Sequence, residues 1–232
     1  MGRFGNQMFT VAFCKAFAEQ HDLEFQCDPW IGQKVFGLND PPIDEQFFTG
    51  KPQLCENTIQ PDSKDVLYRS YSQQQKCLIY TRRDCKRWFK FSEEIENKLS
   101  NYEPAFCAAH RRCGDYAGYG YPVVSEISYP KAAAHFNVEL PTMISDESSP
   151  YPRWSGELKD IVDFYMLSKA AILFRGNSTY SWWAATLSHA KVYAPVMTGC
   201  EGGKENHVLF TEGNWPAFRT DLPFLTDLHL PE

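Results

Sequence analysis

Long apolar runs are missing from the sequence. No stretch of about 18 or more consecutive apolar residues occurs, so no segment is a candidate for a membrane-crossing helix. A CxxC pair is also missing, and no two histidines stand at zinc-ligand spacing, which removes the usual scaffold of a metal cluster. No excess of positive charge is present. The net charge is −6 and the pI about 5.6, so no overall field favours nucleic acid, although a local basic pocket stays compatible with these values. There is no internal repeat, no low-complexity tract and no signal-peptide pattern at the start. The eight cysteines are even in number and so allow disulfides, but the expectation is a reduced, cytoplasmic protein whose thiols act as small hydrophobes. Peripheral contact with a membrane surface stays compatible with this composition.

What is present is ordinary globular material with an aromatic surplus. Of 232 residues, 43% are hydrophobic and 22% charged, enough for a real core. At roughly 100–150 residues per domain, one large or two compact domains fit. Aromatics reach 15%, which suits both a core and the lining of a sugar-binding cleft. A helix beginning at Ser92 should end near Ser100–Asn101, and the expected domains are 1–100 and 101–232.

The chain is organised around Gly176-Asn177-Ser178-Thr179-Tyr180-Ser181-Trp182-Trp183. The apolar run 170–174 before it reads as a buried strand. Trp182 to Ala190 can wind as a helix, and Val192–Pro195 reads as the next strand. Strand, small polar turn, helix start and strand make a βαβ unit, and ligands bind such sheets at the carboxyl ends of strands. The hydroxyls and the amide of this turn lie beside unpaired helix N–H groups that attract anions. The plain alternative is a helix cap, for which Asn, Ser and Thr are common.

From Met8 a helix is expected, because Phe9, Ala12, Phe13, Ala16 and Phe17 recur at helical spacing. It should stop near His21–Asp22, with Leu23–Cys27 as a strand after it. Asn6 can cap the helix, and the glycines of Gly2–Gln7 let backbone approach a ligand. A sheet domain normally enters such a turn from a strand, so either the fold lacks one or the natural chain is longer at its start. Residues 30–64 read as long connections with short elements. The basic run Arg82, Arg83, Lys86, Arg87 and Lys90 reads as a solvated helix face. Phe106–Ala109 reads as a strand running into His110-Arg111-Arg112-Cys113-Gly114-Asp115-Tyr116. On an extended strand His110, Arg112 and Gly114 share a face, and an arginine there suits a pyrophosphate. The competing reading pairs Arg112 with Asp115 and buries His110 in the core. Ser128 to Phe136 holds a helix with Pro130 near its start, and Thr142–Glu147 reads as a strand ending in acids. A helix with Leu158, Ile161, Val162, Tyr165 and Met166 on one stripe follows, leaving Asp163 for a cleft or for solvent. Beyond Pro195 no period is clear, and the tail is free to wrap back.

Three separated blocks resemble the α-1,2-fucosyltransferase family. Gly2-Arg3-Phe4-Gly5-Asn6-Gln7-Met8-Phe9 is similar to its GRxGNQMF start, and His110-x-Arg112-x-Gly114-Asp115-Tyr116 to its HxRxGDY motif. Asp163-Phe164-x-Met166 with Asn177-Ser178-Thr179-Tyr180-Ser181-Trp182-Trp183 resembles its third block, with Tyr180 where Phe is usual. Ile144–Glu147 is similar to an acidic strand end in related enzymes. The resemblance implies an α/β fold of the GT-B type, two Rossmann-type lobes flanking a cleft, the N-terminal lobe reduced. It implies an inverting transferase that needs no metal and no cofactor. The donor is GDP-β-L-fucose, and the acceptor a glycan ending in galactose or a similar sugar. On the family pattern His110 and Arg112 hold the β-phosphate, with Arg112 stabilising the leaving GDP. Asn6 faces the same phosphates or the acceptor, and Arg3, Gln7 and Gly114 belong to the donor site. Asp146 accepts from the guanine edge. Asp163, Asn177, Ser178, Thr179, Ser181 and Trp182 complete the donor site. Asp115 and Glu147 are candidates for a general base by residue type, beside a weakly assisted oxocarbenium-like path.

Overall fold

The computed structural model describes residues 3–55, 57–60, 62–154, 156–158, 160–214 and 230. The chain divides into two compact units, with the change between Lys98 and Leu99.

The first unit is built on helices and aromatic side chains. Helix α1 (Phe4–Gln20) buries Met8, Phe9, Ala12, Phe13 and Ala16, the stripe that the helical spacing requires. It starts at Phe4 rather than Met8. Arg3 is the N-cap and makes no side-chain cap bond, so Asn6 lies inside the first turn and does not cap. Short helices α2 (Ile31–Phe36) and α3 (Glu45–Phe48) follow, then β1 (Gln53–Leu54) and β2 (Leu67–Tyr68), a parallel pair. Phe36 lies 5.8 Å from Phe4, 5.2 Å from Phe89 and 5.6 Å from Phe91, ring centre to ring centre, so one aromatic cluster joins distant parts of the unit. Helix α4 (Arg82–Trp88) carries Arg82, Arg83, Lys86 and Arg87 of the basic run behind a Thr81 cap, and α5 (Glu93–Leu99) begins after Ser92, whose hydroxyl accepts from the Ile95 N–H. The strand expected over Leu23–Cys27 does not form. Its backbone offers Cys27 N–H to the Pro41 carbonyl but joins no ladder, and alternation without a neighbouring strand does not make a sheet.

The second unit is an α/β sheet. Its elements are β3 (Cys107–Arg111), β4 (Val123–Val124), α6 (Ser128–His135), β5 (Thr142–Ser145), α7 (Ile161–Lys169), β6 (Ile172–Phe174), α8 (Thr179–Leu187), β7 (Lys191–Pro195), β8 (Glu205–Asn206) and β9 (Phe210–Glu212). The main sheet has the order β5-β3-β6-β7-β9, and β4 pairs with β8 apart from it. The first four strands of the main sheet are parallel and β9 is antiparallel. From β3 the chain steps to one side for β5, then crosses back past β3 to β6. With right-handed crossovers that reversal puts α6 on one face of the sheet and α7 and α8 on the other. The contacts agree. Cys107, Ala109, Phe174 and Tyr193 pack with Tyr129, Ala132 and Ala133 of α6. His110, one step along the pleat, meets Tyr180 of α8, which meets Phe164 of α7. Helix α7 is buried from Ile161 to Ser168, an all-round interior helix. Pro130 sits in the first turn of α6, where its missing N–H is tolerated. The tail does return to the body, as β8 and β9.

Among the described residues, strands of the first unit are limited to the two-residue pair β1–β2, so an α/β sheet is found in the second unit only. No helix among them is long and apolar enough to cross a membrane, and all eight cysteines are free thiols.

Candidate functional site

The reversal of strand order lies between β3 and β6. In an open parallel sheet the loops leaving two such strands diverge and open a crevice at their carboxyl ends. Residues 110–116 leave β3 there, and residues 175–181 leave β6. The two loops touch. A Cβ added at Gly176 would stand 2.7 Å from the His110 carbonyl oxygen and 3.4 Å from its Nδ1, so only glycine admits this approach. The Tyr116 hydroxyl donates to the Asn177 carbonyl at 3.2 Å, and the His110 and Tyr180 rings are 5.2 Å apart.

Arg112 is mostly covered and held by two carboxylates, Asp115 at 2.5 Å and Asp146 at 3.2 Å. Its guanidinium also lies 5.5 Å from the centre of the Tyr116 ring. Asp146 in turn accepts the Cys113 N–H at 2.9 Å, and Gly114 is pressed against it: a Cβ there would meet Oδ2 at 2.5 Å. Burial pushes Asp146 up, but the Cys113 N–H and the Arg112 charge outweigh it and hold the carboxyl below its ordinary value. Burial first, then the Asp146 carboxylate, push the Cys113 thiol up to about 12, so it is inert as a nucleophile.

His110 is buried. Desolvation lowers it to about 4 against a weaker pull from Asp146, so the imidazole is neutral at physiological pH. Its carbonyl accepts from the buried Tyr129 hydroxyl at 2.8 Å. The competing sequence reading of this block, an Arg112–Asp115 pair beside a core histidine, is therefore present in the geometry together with the convergence of the two loops.

The hydroxyl turn is a well-made helix start. Ser178 is the N-cap of α8 and accepts the Tyr180 N–H at 3.2 Å. Ser181 is fully buried and donates to the carbonyls of Gly176 and Ser178, each at 3.2 Å. Asn177 is fully buried and donates to Pro122 O at 2.7 Å. Trp182 packs edge-on against Trp183 in the core. So Ser178 and Thr179 lie at the helix start, while Asn177, Ser181 and Trp182 shape it from inside. Asp163 faces neither solvent nor an open surface: it is buried, takes a hydrogen bond from Ser149, and is raised to about 6 by that burial. This corrects the solvent reading, which assumed that a residue off the apolar stripe of a helix is wet. Arg3, Asn6 and Gln7 form the start of α1 in the first unit.

The sequence reading missed Arg175. It continues β6, with its N–H on the Tyr193 carbonyl, and it is fully buried. One guanidinium nitrogen donates to Gly176 O at 2.8 Å; Nε and Nη2 have no hydrogen-bond partner. Burial pulls its pKa down to about 9, which still leaves it cationic at neutral pH. Arginine at a strand end reads as surface in a sequence. The available signal was its position between a fully apolar run and the Gly-Asn turn. Around it, His110 Nδ1 and Asn177 Oδ1 are also buried without a hydrogen-bond partner.

Elsewhere a groove of about 440 Å³ opens against Glu126, Ile127, Pro130, Leu140 and Met143, near the start of β5 and away from the strand carboxyl ends. Among the described residues no group of three or more His, Cys, Asp or Glu side chains is placed to hold a metal ion. Comparison with protein-family models and with curated proteins finds no match to this chain.

Proposed function

We propose that the protein is a glycosyltransferase that moves L-fucose from GDP-β-L-fucose to a glycan hydroxyl, O2 of a terminal galactose, with inversion. The observation that carries this reading is the convergence of the His110–Tyr116 and Gly176–Ser181 loops at the reversal point of a parallel sheet. On this reading the second unit is the donor lobe of a GT-B-type enzyme, and the first is its reduced acceptor-side lobe. The acceptor oxygen attacks the anomeric carbon, the bond from that carbon to the β-phosphate oxygen breaks, and the acceptor proton passes to a base or to water. Charge gathers on the departing diphosphate. Arg112, Ser178, Thr179 and the N-terminal N–H groups of α8 are the groups suited to receive it. Arg112 must exchange a carboxylate for phosphate oxygens to do so, which frees Asp115 to take a proton.

GDP, binding the native state only, should raise the melting temperature, and Arg112→Ala should remove most of that rise. No shift with GDP or GDP-fucose would sink the reading. Turnover is then read as GDP release with galactosides and with water as acceptors, and a donor panel led by a UDP-sugar would select a related transferase. The double carboxylate clamp on Arg112 favours one second reading, a binding relative that holds nucleotide without transfer. It would show the GDP shift and no GDP release from GDP-fucose with any acceptor.

A further inference from the structure

The charge distribution at the end of β6 does not balance. Arg112 faces two carboxylates, so its own charge is cancelled in the ligand-free protein. Arg175, fully buried at the end of β6, faces none. The ionisable groups that act on it are the hydroxyls of Tyr129 and Tyr116, and it forms no ion pair among the described residues. A guanidinium removed from water without a counter-charge opposes folding, and such groups persist where something outside the apo fold completes them. The position indicates what that is. Arg175 directly precedes the Gly176-Asn177-Ser178 turn and donates to the Gly176 carbonyl. Tyr116, one of the two groups that act on it, bonds the same turn at Asn177 O and carries Arg112 against its ring.

We propose that Arg175 is a positioning residue of a phosphate site: a permanent buried cation beneath the Gly176–Ser178 turn whose missing counter-charge is the diphosphate of the ligand. It touches no ligand atom. It acts through the field it sets up in a low-dielectric interior and through its bond to the turn. This rests on the nucleotide-sugar reading for the identity of the ligand, but its own content is the anion.

The test uses the full chain with Arg175→Met and Arg175→Lys, and two probes, inorganic pyrophosphate and GDP. Arg175→Met keeps the length of the side chain and removes the charge. Its melting temperature without ligand should equal or exceed that of the wild type, while its affinity for both probes falls at least tenfold. Arg175→Lys restores the charge without the forked geometry and should recover most of that affinity, which a purely structural arginine would not show. A fall in ligand-free melting temperature, or loss of folding, in Arg175→Met overturns the proposal, because the charge would then be supporting the fold. Equal GDP affinity in wild type and Arg175→Met also overturns it and leaves the nucleotide-sugar reading standing. A wild-type shift with pyrophosphate and none with GDP or GDP-fucose does the reverse. No shift with either probe sinks both.

Discussion

The two units handle polarity in opposite ways. Among the described residues, Ser72 is the buried polar side chain of the first unit, whose core is Met, Phe, Trp and Cys around α1. Its charges pair partly at the surface, as Arg87 does with Glu19, and partly under cover, as Lys15 does with Asp40. The second unit buries His110, Asp163, Arg175 and Asn177 together with several serines and Thr186. Dry burial of polar groups is unfavourable unless each finds a partner, and several of these atoms have none. A fold tolerates such groups mainly where they serve a task. Unpaired buried atoms occur in both units, at Trp30, Asp40 and Gln73 of the first as well, but among the described residues the buried charged side chains, Asp163 and Arg175, belong to the second.

Acid titration should break or sharpen this contrast most strongly. His110 sits at about 4 against an ordinary 6.5, so the unfolded chain takes up its proton first. The stabilising contribution of this residue is complete above pH 6.5 and drains away as pH falls to 4, about 3 kcal/mol in all at roughly 1.36 kcal/mol per pKa unit. Asp163 is displaced the other way, to about 6 from 3.8. Its contribution is complete below pH 3.8 and is lost as pH rises through 6. Between pH 4 and 6 the two oppose each other, and the wild type hides both. Urea unfolding free energies of His110→Gln should therefore decline as pH rises from 4 to 6; a slope unchanged from wild type would remove His110 from the buried-polar group. Asp163→Asn should stabilise the protein at pH 7 by about 3 kcal/mol, with no gain at pH 3.5. A loss at pH 7 would mean that the ionised carboxylate is needed by Ser149 and its surroundings. The smallest effect belongs to the first unit. Arg87→Ala removes an ion pair that is half exposed on both sides, and should lower stability by no more than about 1 kcal/mol, less in high salt. A loss of several kcal/mol there, seen as a large drop in urea midpoint, would erase the distinction between the units.

What could be read from the chain follows the same division. Strands β3, β6 and β7 and helix α8 were legible because each is an apolar run ended by a turn residue, and the sheet that they form buries both faces. The alternation of Leu23–Cys27 gave a strand where none forms, since pairing depends on a neighbour that no local pattern supplies. Strand β9 went unread because it has one buried residue, Phe210, and exists only against β7. The blocks around Arg112 and Ser178 were visible as residue types at strand ends. Their meeting across Gly176 was not, because it follows from strand order. Arg175 was the hardest to see: burial of a charged side chain is decided by the assembled sheet and by nothing within its own neighbourhood of the chain.

The antiparallel return of β9 has a practical outcome for anyone shortening the chain. Bonds from Val192, Ala194 and their neighbours to Phe210–Glu212 and Gly213 occupy the flank of β7 that would otherwise be bare. Cut the polypeptide before Phe210 and that flank becomes a template on which a second molecule can lay a strand. Fragments ending upstream of this residue should accumulate as aggregates, and those ending beyond Gly213 should stay dispersed.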